Sequence, residues 1–148
     1  RVAPSFRAPT GSWLTVATGT DRLFNGQAAT QRVNELSTSY YADQSVNPAN
    51  GGIRFLDPTV FAQPALGTFG NMQRNVVRGP GFKNVDAALS RLFTLSGTKS
   101  IEARLEAFNV FNWFELGNPN TNFSAATFGQ ITSALSPRVL QLAVKFNF

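Results

Sequence analysis

Apolar and polar residues alternate with a period of two in several separated stretches of this chain, the spacing that sends successive strand side chains to opposite faces. The clearest stretch runs over residues 138–148, where Leu140, Leu142, Val144, Phe146 and Phe148 share one face. Gln141, Lys145 and Asn147 share the other with Val139 and Ala143. Residues 100–107 alternate as cleanly, with Ile101, Ala103, Leu105 and Ala107 set against Glu102, Arg104 and Glu106. Residues 84–94 place Val85, Ala87, Leu89 and Phe93 opposite Asp86, Ala88 and Ser90. Arg91 interrupts that apolar face near the strand end, where a long stem can carry its charge towards water. A fourth extended segment spans Val2 to Thr18, bent at Pro9 to Ser12 and resuming with β-formers at Trp13.

Between these strands the periodicity fails. From about Asp21 to Gly81, about sixty residues rich in Asn, Gln, Gly, Ser and Pro read as one long loop, and Glu115 to Pro137 reads as a second. Only a short turn, Ser96 to Lys99, separates the second and third strands. Past Ala107 the parity shifts through Phe108 to Phe114, which predicts a bulge or a band of aromatic residues where a strand leaves a membrane. Loops longer than roughly 12 to 15 residues are uncommon in compact domains, but barrels of the bacterial outer membrane combine long outer loops with tight periplasmic turns. The expected fold is all-β: an antiparallel transmembrane β-barrel fragment, about its last four strands, with long extracellular loops. Four strands cannot close a barrel, and open edges in lipid leave backbone groups unpaired, so residues 1–148 are expected to be one end of a larger barrel.

Alternation alone leaves a second reading open, a soluble all-β binding module whose apolar faces pack into a sandwich and whose loops bind carbohydrate. Composition narrows the remaining classes. Hydrophobic residues make up 43% of the chain and mean hydropathy is −0.09, values that a barrel with a polar lumen tolerates. No apolar run approaches the roughly 20 residues of a membrane helix. The chain starts at Arg1 without an initiator Met or a signal peptide, so its beginning reads as cut.

With no Cys and no His, disulfides, thiolate zinc sites, Ser-His-Asp triads and Cys-His dyads are excluded within the chain. The formal charge of +5 comes from 13 basic residues against 8 acidic ones. The basic residues are scattered singly, without the clustering that nucleic-acid binding requires.

Candidate chemistry is sparse. Asp86, Glu102, Arg104, Glu106 and Lys145 fall on polar strand faces, where they form a polar network inside the lumen or line a substrate path. Glu102 and Glu106 stand about 13 Å apart along an extended strand, beyond the roughly 5 to 9.5 Å of paired glycosidase carboxylates. Arg78 to Gly81 lacks the spacing of a phosphate loop and precedes a strand, so it reads as a turn whose glycines permit positive φ. Asn118, Asn120, Asn122, Asp43 and Asp57 are loop oxygens available to calcium or a sugar, but without EF-hand spacing. Tyr40 and Tyr41 are candidates for stacking on a glycan, whereas Trp113 and Phe114 mark an outer membrane interface. No catalytic, cofactor or metal residues emerge, and the chain is not expected to be an enzyme.

Several ordered motifs carry a resemblance: residues 64–71 (PALGTFGN), 74–82 (RNVVRGPGF), 84–86 (NVD), 106–112 (EAFNVFN), 117–122 (GNPNTN), 128–134 (FGQITSA) and 136–148. Together they resemble the final strands of TonB-dependent, Oar-like outer-membrane transporters. The closing Phe-x-Phe of Phe146 and Phe148 resembles the signal by which bacterial outer-membrane barrels are recognised for assembly. The resemblance implies a large barrel, typically about 22 strands around a plug, with transport of an unidentified substrate energised through TonB. It places the plug and the TonB-contacting segment outside these residues. It also implies as partners outer-membrane lipid, the rest of the barrel and its plug, the TonB complex and the assembly machinery, and a location in the bacterial outer membrane. Leu140, Leu142, Val144, Phe146 and Phe148 are then the lipid-facing set.

Overall fold

A computed structural model describes residues 1–97 and 99–148. Among them the chain forms ten strands: β1 (Val2–Arg7), β2 (Trp13–Leu14), β3 (Asn34–Glu35), β4 (Ile53–Arg54), β5 (Phe61–Ala62), β6 (Val77–Arg78), β7 (Asn84–Ser96), β8 (Lys99–Phe108), β9 (Gln130–Ile131) and β10 (Val139–Asn147). Two short 3-10 turns, Ala28–Thr30 and Pro58–Val60, are the sole helical elements described, and every strand pair is antiparallel. The fold is all-β, as the alternation predicts. The chain divides into two compact units, one of residues 1–10, 81–115 and 135–148, the other of residues 11–80 and 116–134.

The first unit is a four-stranded sheet in the order β1-β7-β8-β10. Residues opposite one another in a ladder share a face, so the registers show how the four sequence patterns align. Leu142 pairs with Leu105, Leu105 with Leu89, and Leu89 with Val2. Leu140, Ala107, Ala87 and Pro4 form the next row, and Phe146, Ile101 and Phe93 another. One face of the sheet is therefore apolar from edge to edge. Among the described residues no core covers it: Leu140 is 64% and Leu142 73% exposed. Arg91 is the charged member of this face, with its guanidinium 5.2 Å from the Phe93 ring centre, so the aromatic neighbour offsets part of its cost. Phe148 lies just past β10, 92% exposed, with its ring stacked 6.1 Å from Phe146.

Pro4 occupies an edge strand at a position that needs no donor. Ser90 donates its N–H to the Arg1 carbonyl at 2.9 Å, which makes Arg1 and Ser90 a hydrogen-bonded pair. Pairs alternate between bonded and non-bonded along an antiparallel ladder, so Pro4 opposite Ala87 is non-bonded and its ring nitrogen points away from β7. The expected tight turn from Ser96 to Lys99 includes Thr98, which lies outside the described residues. A register shift between Thr94 and Ser96 precedes it.

The second unit corrects the expectation of two long loops. Residues 11–80 and 116–134 fold together around a core of Val16, Val33, Phe55, Leu56, Val60, Phe61, Met72, Val77, Phe128 and Ile131, all buried. Phe61 meets Phe128 edge to face at 5.5 Å, and Phe128 meets Phe123 in the same way at 4.9 Å. Three two-stranded ladders, β2-β6, β3-β5 and β4-β9, contribute Phe61, Val77 and Ile131 to this core, and the other core residues lie between them. Each strand has two residues, too short for any period to register. The abundant Asn, Asp and Ser act as local caps; Asp57, for example, accepts from the Thr59 N–H at 2.9 Å to begin the second 3-10 turn.

Two smaller expectations also change. The resumed strand after Trp13 ends at Leu14, with Ala17 making only isolated bridges to Arg32 and Asn122. Arg78 to Gly81 forms no turn: Arg78 ends β6, and neither of its glycines has positive φ. The approach there is so close that a Cβ on Gly11 would stand 1.7 Å from the Gly79 carbonyl oxygen, so glycine serves proximity rather than turning.

Candidate functional site

The second face of the four-stranded sheet gathers the polar strand residues. Asp86, Glu102, Arg104, Glu106 and Lys145 all lie on it by register. Glu102, Arg104 and Glu106 occupy alternate positions of β8, which stacks them along one strand with the cation between two carboxylates. Arg104 reaches Glu106 at 3.5 Å and Glu102 at 3.8 Å. Two carboxylates held on one guanidinium are electrostatically satisfied, an arrangement suited to a polar wall rather than to proton transfer. On β10, Gln141 stands opposite Glu106 and Lys145 opposite Glu102. Lys145 makes no ion pair with Glu102 among the described residues.

Asp86 belongs to a separate cluster at the sheet end where β1 and β8 finish and β7 and β10 begin. Arg7 donates to its carboxylate at 2.9 Å, and the Asn109 backbone N–H donates to it at 3.1 Å. Asn109 is only 6% exposed. Its side-chain amide donates to the Trp113 carbonyl at 2.9 Å and accepts from the Trp113 N–H at 2.9 Å. Asn112 accepts from the Arg138 N–H at 3.0 Å. Asn109 and Asn112 have φ of 51° and 52°, a region asparagine enters more readily than other side-chain-bearing residues. The parity break after Ala107 is therefore a turn, built by the two asparagines of the FNVFN motif. It leaves Phe111 stacked on Trp113 at 4.9 Å, with Phe114 exposed.

A cavity of about 440 Å³ opens at this end, lined by Arg7, Asn84, Asp86, Phe108, Asn109, Glu115 and Pro137 among others. Its strand residues come from the polar face. The rim residues Arg7, Asn109 and Glu115 escape the sequence reading. Arg7 meets Asp86 only once β1 and β7 are paired, whereas the αL-prone asparagines in FNVFN were a visible signal of the turn.

The loop candidates do not converge. Asp43 is engaged by the Ser45 N–H and hydroxyl at 3.2 and 2.9 Å. Asn120 accepts from the Asn122 N–H, and Asn122 from the Ser124 N–H, each at 3.0 Å. Among the described residues no group of three or more acidic side chains could hold a metal ion. Tyr40 stacks on Phe61 at 5.9 Å and donates to Glu35 at 2.9 Å, while the Tyr41 hydroxyl accepts from the Arg78 N–H at 3.1 Å. Both tyrosines serve the body's own packing. Asp21, unremarked in the sequence, accepts from Gln31 at 2.6 Å and from the Gly26 N–H at 2.7 Å. The Gln31 amide, followed by the Gly26 N–H, holds its carboxyl below the usual range.

A family model of the outer membrane β-barrel domain matches residues 1–141. No curated protein and no solved structure gives a significant match. An uncovered apolar face, a charged opposite face and antiparallel pairing throughout are what a wall between lipid and an aqueous lumen requires, and with the family match they lead to one conclusion: this chain belongs to the outer membrane β-barrel domain family and resides in the bacterial outer membrane.

Proposed function

We propose that residues 1–148 form the carboxy-terminal part of the barrel of a TonB-dependent, Oar-like transporter, which moves an unidentified substrate with energy coupled through TonB. The observation that carries this reading is the register. Four strands align every alternating pattern so that Leu140, Leu142, Val144 and Phe146 join one continuous apolar face, and Glu102, Arg104, Glu106 and Lys145 join the other. In the membrane the first face contacts lipid and the second lines the lumen, with Phe148 beside the lipid face as part of the assembly signal. Both edges of the sheet are unpaired among the described residues, and in lipid such edges require further strands. One long insert follows β1 and precedes β7, the other follows β8 and precedes β10, whereas β7 and β8 are joined by a short connection, an alternation of long and short connections that supports extracellular inserts. The ordered motifs from Pro64 onward support the TonB-dependent class. In this reading the chain breaks and makes no covalent bond; it walls the lumen and presents an outer surface.

The test is the gene upstream of Arg1 together with its product. Further alternating strands, a plug and co-purification of the intact protein with the periplasmic domain of TonB are expected. A full-length product lacking a plug and failing to retain TonB refutes the transporter assignment while leaving the barrel in place.

A further inference from the structure

In the body formed by residues 11–80 and 116–134, a second cavity of about 190 Å³ is walled by Asn25, Gln27, Arg32, Thr68, Phe69 and Arg74, among others. Its two arginines differ from Arg22 and Arg78 of the same body. Arg22 spends its guanidinium on the Pro64 carbonyl, through two N–H groups at 2.9 and 2.7 Å, and Arg78 lies 4.8 Å from the Trp13 ring centre. Arg32 and Arg74 make no ion pair and no side-chain hydrogen bond among the described residues. No acidic residue lines the cavity.

Both walls are set in advance. Buried Gln31 accepts from the Arg22 N–H at 2.6 Å and donates to Asn25 at 2.9 Å, which fixes the loop from Asp21 to Gln31. The opposite wall is pressed against Arg32: a Cβ on Gly70 would stand 2.1 Å from the Arg32 carbonyl oxygen. The turn before it is tied by the Gly67 N–H to the Arg22 carbonyl at 2.7 Å. A site fixed before its ligand arrives loses little ordering entropy on binding. Phe69, on the same wall, is 80% exposed.

We propose that this cavity binds one acidic sugar residue, a hexuronate unit of a glycan. Unpaired guanidiniums suit a carboxylate. The Asn25 amide, whose oxygen is held by Gln27 and Gln31, offers its NH2 group, the Thr68 hydroxyl, which donates to the Ala65 carbonyl, offers its oxygen as an acceptor, and with the Gln27 amide they suit ring hydroxyls, while the bare Phe69 ring suits the C–H face of a pyranose. The cavity is smaller than the roughly 300 to 1,000 Å³ of sites for drug-sized ligands, so it admits a single ring.

The test is titration of the intact protein in detergent micelles with glucuronate, glucose, acetate and inorganic phosphate, followed by calorimetry and ligand-observed NMR. Glucuronate is expected to bind at least about tenfold more tightly than the other three, a ratio set by loss of either the charged hydrogen bonds or the hydroxyl contacts. Arg74→Gln, at an exposed position, keeps the fold and is expected to weaken glucuronate by about tenfold or more. Phe69→Ala is expected to weaken glucuronate while leaving acetate unchanged. Equal binding of acetate or phosphate, no glucuronate response, or an Arg74→Gln variant of unchanged affinity overturns the proposal. Equilibrium binding is read without TonB, so these outcomes are independent of the transport mechanism.

Discussion

Leu142→Arg, compared with Gln141→Arg one position away, tests which face of the sheet meets lipid. Leu142 is the fourth of the nine residues of β10. A tilted barrel strand advances about 2.3 to 2.7 Å per residue along the membrane normal, so Leu142 lies within one residue's rise of the strand centre. It is opposite Leu105, in the row continued by Leu89 and Val2, so no carboxylate stands beside an arginine placed there. An arginine on the lipid face near the midplane costs about 2 to 4 kcal/mol, which lowers the folding equilibrium roughly 30- to 1,000-fold. Gln141 stands opposite Glu106, and a cross-strand pair of opposite charges contributes about 0.2 to 1 kcal/mol. Gln141→Arg is therefore expected to be neutral or slightly stabilising. Urea titrations of the intact barrel folding into phospholipid vesicles, read by heat-modifiable gel mobility, measure both. Equal costs, or a larger cost at Gln141 than at Leu142, refute the assignment of faces.

Met72→Ala truncates a side chain that is 1% exposed and is expected to destabilise the body of residues 11–80 and 116–134 by about 2 to 5 kcal/mol, seen as faster proteolysis there while the strands stay protected; an unchanged digestion rate counts against that core. Asp21, Asp43 and Asp57 all have carboxyl pKa values lowered from 3.8 by hydrogen bonds to Gln31, Ser45 and Thr59 respectively. Their stabilisation is complete above 3.8 and is lost as pH falls through the lower folded-state values; hydrogen exchange in this body is expected to accelerate in that acid window, and rates that are flat there contradict the three bonds. Deleting Phe148 from the intact protein is expected to reduce its yield in the outer membrane, whereas an undiminished yield would remove the residue from the assembly signal.

The strands of the sheet were legible because one side of each meets a single kind of environment over many residues. β8 declares itself through Ile101, Ala103 and Leu105 against Glu102, Arg104 and Glu106, and β10 does so from Leu140 to Phe146. Residues 21–81 show no such pattern for the complementary reason. Their strands are two residues long, and Val33, Phe55 and Met72 reach the core from irregular segments whose backbone repeats nothing. The side chains that lowered the apparent order, Asp21, Gln31, Asn47 and Asp57, are those whose hydrogen bonds build the turns.

From the sequence alone came the all-β class, the membrane-type alternation and the charged set Asp86, Glu102, Arg104, Glu106 and Lys145, because a period of two is a local property of extended backbone. Only tertiary structure decided which strand lies beside which, that Arg7 meets Asp86, and that two segments about 35 residues apart in the chain enclose one core. Pairing partners, register and convergence of short segments depend on which groups bury or bond each other across long separations, and a local pattern carries no record of that choice.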